Sequence, residues 1–489
     1  MYESTRGNVT GYTGKQAIAL GMVPGGGLFV PMEIPQLNWE DLRGSDYPKL
    51  ARRLIGLFLP DFEPAVLDEA AGVYHIGVFD QVNPAPLKEV GAYGVLELWH
   101  GPTAAFKDMA LQVLPHLLTA SLSEEPGKEV LILTATSGDT GKAALEGFRN
   151  VPGTQMVVFY PHGGVSPVQE RQMTTTDGMN TYVAAVEGNF DECQSAVKRI
   201  FASERLQQRL QKKHMAFSSA NSINWGRLLP QIAYYYWAYL QAVEQGRVKP
   251  GEALNIAVPT GNFGNILAGY YAKQMGLPIA RLICASNKNK VLSDFFTTGV
   301  YDSKRPFYLT ISPSMDILIS SNFERFLYEM SGRDAEKIRA WYGDLANMGS
   351  FQVDARTLVR SQETIYAGWA DEGQVLSKIR QNFVEYHYVF DPHTAVAAKV
   401  CEDYRRVTGD TRFTVILATA SPFKFADNVY RGIKGEAPQG EWEALEQLSA
   451  LTGWEIPEGL QGLQARPERP AALCRPDEME ALLEKLFSF

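Results

Sequence analysis

The chain has 489 residues, a formal net charge of −9 at pH 7, and 45% hydrophobic against 21% charged residues. This length predicts two or three domains, and acidic residues spread along the chain argue against a nucleic-acid surface, which needs a basic stripe. No apolar run reaches the roughly 18 uncharged residues of a membrane span, so we expect neither nucleic acid nor membrane as a partner.

The cysteines, the histidines and the N-terminus favour a cytoplasmic protein without a metal site. The cysteines lie more than seventy positions apart, which leaves no zinc-type or redox pair and fits the reducing cytosol. The histidines show no short paired spacing on one helix face, so we expect no catalytic metal. The N-terminal sequence has neither the apolar stretch of a secretory signal nor an Arg-rich transit pattern.

Residues 1–90 are predicted to form a mostly helical N-terminal region. Within it, residues 24–31 (PGGGLFVP) predict a turn followed by a short strand. Residues 46–62 have the i, i+3, i+4 apolar spacing of an amphipathic helix that Pro60 closes. We expect this region to have a structural role.

Residues 96–110 (LELWHGPTAAFKDMA) contain Lys107, the first candidate catalytic residue. Lys107 follows a Gly-Pro-Thr turn and Phe106, and it precedes Asp108 and an apolar helical run. We predict that it lies where an irregular segment enters a helix, whose positive N-terminal end disfavours a protonated amine. Such a lysine is suited to forming a Schiff base. The alternative is a solvated lysine in a first helical turn.

From Glu129 onwards the sequence alternates between strands, glycine-containing loops and helices. Nearly continuous apolar runs predict parallel strands covered by helices on both faces. The predicted strands are 129–135, 154–161, 181–188, 254–260, 280–286 and 413–420. The predicted helices include 141–149, 190–213, 228–244, 265–275 and 393–407. An open α/β fold binds ligands at the carboxyl ends of such strands, so the loops that follow them are candidate sites.

The loop at residues 134–144 (TATSGDTGKAA) follows a predicted strand and opens a helix. Ser137, Asp139 and Thr140 surround backbone N–H groups at the helix N-terminus, an arrangement that suits an anion. Two alanines follow Lys142 where a nucleotide-binding Walker A loop has a hydroxyl residue, so a nucleotide kinase is a poor interpretation. The alternative is that Ser137 and Asp139 only cap the helix.

The loop at residues 259–265 (PTGNFGN) also lies between a predicted strand and a helix. Gly261 and Gly264 allow the backbone to approach a bound group closely, and N–H groups at the helix start can hold a phosphate. The alternative is a turn with an ordinary helix cap.

Two further segments carry polar groups that suit a ligand. In residues 220–227 (ANSINWGR), Arg227 suits a second anion because its guanidinium meets two oxyanion oxygens at once. The alternative is a helix cap with an exposed arginine. In residues 418–425 (ATASPFKF), the hydroxyls of Thr419 and Ser421 end the last predicted strand, where they suit either a ring nitrogen or a cap.

Taken together, these segments resemble the threonine synthase family, in the longer form of fungi and many bacteria. HGPTAAFKD, TSGDTG, NSINWGR, GNFGN and ATASPFKF match family motifs and stand in the family's order. STRG at residues 4–7 and SPVQERQMTT at residues 166–175 fit as well, so the likeness runs from near residue 1 to about residue 430. Residues 431–489 form a tail for which the sequence indicates no function.

The resemblance implies an α/β protein of pyridoxal-phosphate fold type II, similar to the β subunit of tryptophan synthase. Two open α/β domains are then expected, with the active site between them, beside the N-terminal region at 1–90. The catalytic core is expected at 91–430, with a smaller subdomain at approximately 125–225. A monomer or a homodimer is expected.

The resemblance also implies the reaction, the cofactor and the site residues. The cofactor is pyridoxal 5'-phosphate, and O-phospho-L-homoserine and water are converted into L-threonine and phosphate by γ-elimination and β-addition. Lys107 is implied to bind the cofactor and to act in catalysis. The remaining implied contacts are Gly261, Asn262, Phe263, Gly264 and Asn265 with the cofactor phosphate, Thr419 with the pyridine nitrogen, Ser137, Asp139 and Thr140 with the substrate carboxylate or the hydroxyl side of the cofactor, and Asn221, Ser222 and Arg227 with the substrate phosphate.

The chemistry of these residues agrees with the implied roles. A hydroxyl that faces the ring nitrogen leaves the ring weakly protonated, which favours elimination and replacement over transamination. Lys107 is the natural general acid and base for proton transfers at Cα and Cβ. One departure is Asp139, which stands where the family's short form has asparagine. The alternatives are a related phospholyase, a serine or threonine dehydratase, and a cofactor-binding regulator without catalysis.

Overall fold

The computed structural model describes residues 1–122, 127–469 and 471–488. Three short strands and three helices form the N-terminal region, and the strands pair antiparallel in the order β2-β1-β3. These elements are β1 (Tyr2–Ser4), β2 (Thr10–Tyr12), α1 (Gly14–Leu20), β3 (Phe29–Pro31), α2 (Tyr47–Phe58) and α3 (Pro64–Gly72). The predicted amphipathic helix is α2, which Asp46 caps. It ends at Phe58, earlier than predicted, because the residue before Pro60 avoids helical geometry.

The middle of the chain contains a run of strands and helices that alternate. Its elements are β4 (Leu87–Val90), β5 (Tyr93–Glu97), α4 (Asp108–Leu111), α5 (Leu114–Leu122), β6 (Glu129–Ala135), α6 (Asp139–Gly147), β7 (Thr154–Pro161), α7 (Pro167–Thr174), β8 (Thr181–Val186), α8 (Phe190–Ala202), α9 (Glu204–Lys212) and β9 (Met215–Ser219). The helix predicted at 190–213 is in fact two helices. Ser203 ends α8 in extended backbone, and its side chain then caps α9.

The remainder of the chain contains the following helices and strands: α10 (Trp225–Leu228), α11 (Gln231–Glu244), β10 (Leu254–Pro259), α12 (Gly264–Gln274), β11 (Ile279–Ser286), α13 (Val291–Thr298), β12 (Val300–Asp302), α14 (Phe323–Met330), α15 (Ala335–Met348), β13 (Ser350–Gln352), α16 (Ala355–Thr364), β14 (Ile365–Trp369), α17 (Glu372–Tyr386), α18 (Pro392–Thr408), β15 (Thr414–Ala418), α19 (Ala426–Lys434), α20 (Glu441–Thr452), β16 (Ala472–Cys474) and α21 (Met479–Phe487). The helix predicted at 228–244 starts later, at Gln231. Pro230 supplies no N–H to continue the turn of α10 into α11.

Two sheets organise the fold, in agreement with the two α/β domains that the resemblance implies. The large sheet has the order β14-β11-β10-β15-β5-β4, and every pair is parallel except β4 with β5. The small sheet has the order β16-β8-β7-β6-β9 and is wholly parallel. Every strand predicted from Glu129 onwards is confirmed, with ends that differ by at most two residues.

Both sheets are buried on both faces, which explains their continuous apolar strands. Along β15, Val415 and Leu417 join one hydrophobic cluster and Ile416 and Ala418 join another on the opposite face. Val130 of β6 lies in the first of these clusters, so that one core runs from the large sheet to the small sheet. The short strands β4, β5 and β14 were not predicted, because charged residues or glycine interrupt their apolar pattern. Strands β9 and β16 of the small sheet were not predicted either, because β9 ends in two serines and β16 has only three residues.

The C-terminal segment crosses from one sheet to the other. Helix α20 packs on α19 beside the large sheet, whereas β16 pairs with β8 at the edge of the small sheet. Met479 and Leu483 of α21 are buried in the core of the small sheet. Among all the residues that the structure describes, no helix is both long and apolar enough to span a membrane.

Candidate active site

The predicted site segments meet between the two sheets. Lys107 follows β5 of the large sheet, and Asp139 follows β6 of the small sheet, yet Lys107 Nζ lies 3.7 Å from Asp139 Oδ2. The other segments follow β9, β10 and β15, each at the carboxyl end of a parallel strand. This is where an open α/β sheet binds its ligands.

Hydrogen bonds fix the loop that carries Lys107. Because β5 and β15 are neighbours, the backbone N–H of Phe106 donates to the carbonyl of Thr419 at 2.8 Å, and Ser421 N–H donates to the carbonyl of Ala104 at 3.0 Å. Ala104 has a positive φ of 56°, which turns the chain toward α4. Lys107 is the N-cap of α4, so the predicted position at a helix entry is confirmed.

The amine of Lys107 is buried and has a lowered pKa. Its side chain is 11% exposed, and burial is the chief reason why the pKa of Lys107 falls to about 8. Asp139 opposes this decrease, whereas the cations of Arg227 and Lys424 add to it. The alternative of a solvated lysine is therefore wrong. A buried amine with a lowered pKa is more often neutral, and so more nucleophilic, than a free lysine.

Asp139 serves as an ion-pair partner and not as a helix cap. Thr136 Oγ1 takes the capping role, because it accepts the N–H groups of Gly138 at 3.0 Å and Gly141 at 2.8 Å. The carboxylate of Asp139 instead lies 2.7 Å from Lys424 Nζ. Burial alone would raise the pKa of Asp139, but Lys424 and Lys107 hold it well below its usual range. Ser137 forms no side-chain hydrogen bond to any described residue.

The loop at residues 260–266 has the donors of an anion site. Phe263 has a positive φ of 62° and precedes α12 without a side-chain cap. No hydrogen bond between described residues uses the backbone N–H groups of residues 261–266. Asn265 Oδ1 contacts the hydroxyls of Tyr234 at 2.7 Å and Tyr235 at 2.8 Å, and its buried Nδ2 has no partner. These unused donors fit a phosphate, such as that of pyridoxal phosphate.

Gly264→Val is expected to weaken binding of pyridoxal phosphate without unfolding the protein. A Cβ at Gly264 would meet Asn322 at 3.4 Å and Ser222 at 3.9 Å, which are ordinary contacts. The larger valine, however, would stand where the backbone approaches the phosphate. Loss of one hydrogen bond to a charged group costs roughly 1.5–3 kcal/mol, so a fluorescence titration should give a dissociation constant raised about 10- to 150-fold.

Gly343→Val is the matched control, because it places the same side chain in the middle of α15, where a Cβ meets nothing within 4 Å. This variant should bind the cofactor as the parent does. Equal affinities of all three proteins would mean that the loop around Gly264 is an ordinary turn.

Thr419 is available to a ligand, whereas Ser421 is not. Thr419 is only 6% exposed, and its hydroxyl forms no hydrogen bond to another described residue. The hydroxyl of Ser421 accepts the N–H of Phe423 at 3.3 Å and caps the short 3-10 helix Pro422–Phe425. Of the two predicted hydroxyls, Thr419 therefore fits the ring nitrogen of the cofactor.

Arg227 is a buried cation without a carboxylate partner. It is 5% exposed, and burial lowers the pKa of Arg227 to about 10. Its guanidinium donates to the carbonyl of Ala220 at 2.7 Å and to Thr140 Oγ1 at 3.4 Å, and no ion pair among the described residues includes it. The alternative of an exposed arginine is wrong. A buried guanidinium of this kind is suited to an anionic ligand.

Asn221 and Ser222 point to different neighbours from those of Arg227. Asn221 Nδ2 donates to the carbonyl of Ala135 at 3.3 Å. The hydroxyl of Ser222 lies 3.4 Å from that of Ser321, which donates to Asn262 Oδ1 at 3.2 Å. Ser222 is thus connected to the 260–266 loop through Ser321, and among these three described residues only Arg227 hydrogen-bonds to Thr140.

Several residues at the site were not predicted from the sequence. Arg325 is fully buried and donates to the carbonyl of Ile223 at 2.6 Å, to Asn322 Oδ1 at 2.6 Å and to the carbonyl of Phe29 at 2.9 Å. It thereby fastens the N-terminal region to the site. No strand-to-helix pattern marks Asn322 or Arg325, so the sequence offered no signal for them.

Ser314 and His393 support Asp139 from the large sheet's side. The hydroxyl of Ser314 donates to Asp139 Oδ2 at 2.9 Å, and its backbone N–H donates to His393 Nε2 at 3.2 Å. His393 Nδ1 lies 2.8 Å from Asp391 Oδ1, which fixes the ring. Gln169 Nε2, from the predicted SPVQERQMTT segment, donates to Asp139 Oδ1 at 3.1 Å.

Three protein-family profiles match this chain. "Pyridoxal-phosphate dependent enzyme" matches residues 82–353, "Threonine synthase N terminus" matches residues 1–71, and "Threonine synthase, C-terminal" matches residues 394–483. The first profile includes Lys107, the small sheet's loops and the 260–266 loop, and the third includes Thr419.

Individual proteins are similar over most of the chain. Threonine synthase-like 1 of Homo sapiens is 40% identical over 433 residues, which are 86% of this chain and 58% of that protein's length. Threonine synthase of Pseudomonas aeruginosa is 38% identical over 447 residues, 89% of this chain and 91% of the other. The crystal structure of PLP-bound threonine synthase from Brucella melitensis has a TM-score of 0.86 at 36% identity and covers 99% of this chain and 98% of that chain.

Proposed function

Because this chain belongs to the threonine synthase family of pyridoxal-phosphate-dependent enzymes, we propose that it converts O-phospho-L-homoserine and water into L-threonine and phosphate. The observation that supports this proposal is that two separate groups suited to anions are connected to Lys107. Arg227 lowers the pKa of Lys107, and the 260–266 loop, with its unused N–H groups, contacts Ser314, which donates to the Asp139 carboxylate beside Lys107. A cofactor phosphate and a substrate phosphate require two such sites.

The residues of this chain would hold the cofactor at three points. Lys107 would hold its aldehyde end, Thr419 its ring nitrogen, and the N–H groups of 261–266 its phosphate. When bound, pyridoxal phosphate withdraws electrons from the substrate's Cα, which makes the neighbouring C–H bonds acidic. A hydroxyl at Thr419, unlike a carboxylate, leaves the ring weakly protonated and so limits side reactions such as transamination.

The substrate would be oriented by residues of the small sheet. Ser137 and Thr140, at the N-terminus of α6, would bind the carboxylate. Arg227 would hold the phosphate and stabilise its charge as the Cγ–O bond breaks. Lys107 would take protons from Cα and Cβ, deliver one to Cγ once the phosphate has left, and return one to Cα after water adds at Cβ. Asn221 and Ser222 complete the proposed binding residues.

A second candidate is a related phospholyase, which would release phosphate without adding water at Cβ. Relatives named threonine synthase-like 1 are as similar to this chain as the threonine synthases, so similarity alone does not select the product. The two reactions share Lys107 and Arg227 and differ in what is formed besides phosphate, which is threonine in one case and 2-oxobutyrate with ammonia in the other.

Product analysis tests the proposal. The purified full-length chain with pyridoxal phosphate is incubated with O-phospho-L-homoserine, and phosphate, threonine and 2-oxobutyrate are quantified. We expect equal amounts of phosphate and threonine, and no reaction with unphosphorylated L-homoserine. Phosphate with 2-oxobutyrate alone would identify the phospholyase, and no phosphate release would refute both candidates.

We also propose the domain division 1–90, 91–430 and 431–489, and a monomer or homodimer in solution. The pairing of β16 with β8 supports a tail that folds onto the core and does not swing freely. Sedimentation analysis and limited proteolysis of the full chain measure these properties directly.

A further inference from the structure

Lys424 is a second lysine at the site, and it lies on the short 3-10 helix Pro422–Phe425. Its side chain is 0% exposed. Its ammonium lies 2.7 Å from Asp139 Oδ1 and donates to the carbonyl of Thr103 at 3.0 Å. Since Lys424 follows β15 of the large sheet and Asp139 follows β6 of the small sheet, this buried ion pair joins the two sheets.

The carboxylate of Asp139 is shared unequally between two lysines. Asp139 Oδ1 lies 2.7 Å from Lys424 Nζ and accepts a hydrogen bond from Gln169 at 3.1 Å. Asp139 Oδ2 accepts a hydrogen bond from Ser314 at 2.9 Å and lies 3.7 Å from Lys107 Nζ. The last distance exceeds that of a charge-assisted hydrogen bond. Lys424 therefore occupies the place of close partner that Lys107 would otherwise take.

We propose that Lys424 is a positioning residue that acts through Asp139: by pairing with this carboxylate, it prevents a close ion pair between Asp139 and Lys107 and leaves the Lys107 amine free to bind the cofactor. The inference rests on the proposed role of Lys107 as the cofactor's lysine.

The charged side chains around Lys107 determine whether a substitution raises or lowers the pKa of its amine. Asp139 on α6 raises the pKa of Lys107, and Arg227 on α10 and Lys424 lower it. Burial raises the pKa of Asp139, whereas Lys424, Lys107 and His393 lower it. Lys424 also faces Asp108, whose pKa burial raises to about 7 against the effect of this cation.

Removal of Lys424 should raise the pKa of Lys107 for two reasons: a repelling cation is lost, and Asp139 is released to pair with Lys107. Removal of the Asp139 charge should lower the pKa of Lys107. Removal of both charges makes the two effects offset each other, and it also leaves neither charge buried without a partner. The order of the variants is therefore a specific prediction.

Competitive acetylation of the full-length chain without added cofactor measures this order. Trace acetic anhydride is applied at a series of pH values, and mass spectrometry of the Lys107 peptide gives the titration midpoint of its amine. Lys424→Met should move the midpoint to higher pH by ~1 unit or more, and Asp139→Asn should move it to lower pH. The double variant should lie between them, near the parent, and Lys424→Arg should lie closer to the parent than Lys424→Met.

Lys142→Met is the matched control, because Lys142 is a buried lysine that pairs with Glu146 at 2.7 Å and does not contact Asp139. It should leave the midpoint unchanged. A second readout is the pH dependence of cofactor attachment, trapped with borohydride and quantified by mass, which should shift in the same order.

An unchanged midpoint in folded Lys424→Met, or an equal shift in Lys142→Met, would overturn the proposal. If Lys424→Met does not fold, the remaining variants decide the question. The midpoints of Lys424→Arg and of the double variant should then both lie above that of Asp139→Asn, and any other order would overturn the proposal. The labelling needs no substrate, so a failure to form threonine would refute the proposed function and leave this test intact.

Discussion

Lys107→Ala is expected to abolish turnover of O-phospho-L-homoserine while the fold stays intact. General acid–base catalysis alone contributes roughly 10²- to 10⁴-fold, and the same side chain is proposed to hold the cofactor, so the loss should exceed ~10⁴-fold. The fold should survive because Asp139 keeps Lys424 at 2.7 Å and Ser314 at 2.9 Å as partners. Initial rates of phosphate release and the melting temperature measure the two parts of this prediction.

Lys378→Ala is a suitable control for this variant. The side chain of Lys378 is 12% exposed, close to the 11% of Lys107, and it pairs with Glu402, so that the ion pair joins α17 to α18. This variant should keep its turnover and its cofactor. More than trace activity in Lys107→Ala, with no amine added, would show that another group carries the protons.

Arg227→Ala is expected to lower kcat/KM by about 30- to 1000-fold. This range corresponds to the loss of a charge-assisted, bidentate contact from a partly desolvated site, which costs on the order of 2–4 kcal/mol. Pyridoxal phosphate should still bind, because no hydrogen bond between described residues joins Arg227 to the 260–266 loop, but the pKa of Lys107 should rise when this cation is removed. Arg227→Lys should recover only part of the loss, since an ammonium keeps the charge but not the planar fork.

A structural role for Arg227 is tested at the same time. The guanidinium donates to the carbonyl of Ala220, so the alanine variant also loses one buried hydrogen bond, and its melting temperature should fall modestly. The decisive comparison is the binding of a substrate analogue that bears the phosphate against one that lacks it. If the substitution weakens both analogues equally, the phosphate lies elsewhere.

The elements that position the site were largely predictable from the sequence. The runs at 129–135 and 154–161 are strands with these same limits, because a strand buried on both faces must be apolar along its whole length. The polar loops after such strands were then candidate sites, because parallel strands end at one edge. Strands β4, β5 and β14 have charged or glycine residues within them and were missed. Strand β9, which leads into the Arg227 segment, was missed as well, because it is short and ends in two serines.

The roles of individual side chains depended on partners that lie far apart in the chain. The sequence placed Asp139 in an anion-binding loop, but its closest ionic partner is Lys424, which follows a strand of the other sheet. The same holds for Arg325, whose acceptors include Phe29 and Ile223. A local pattern cannot indicate such a contact, because it forms only when both sheets have packed.

By itself, the sequence determined the parallel α/β class, the order of the site motifs and the position of Lys107 at a helix entry. Each of these depends on residues that are near one another in the chain, where periodicity and capping act. Only the tertiary structure decided that Lys107 is buried with a pKa near 8, and that Asp139 is held by Lys424. Burial and charge pairing arise from the packing of distant segments, and these two effects set the electrostatics of the site.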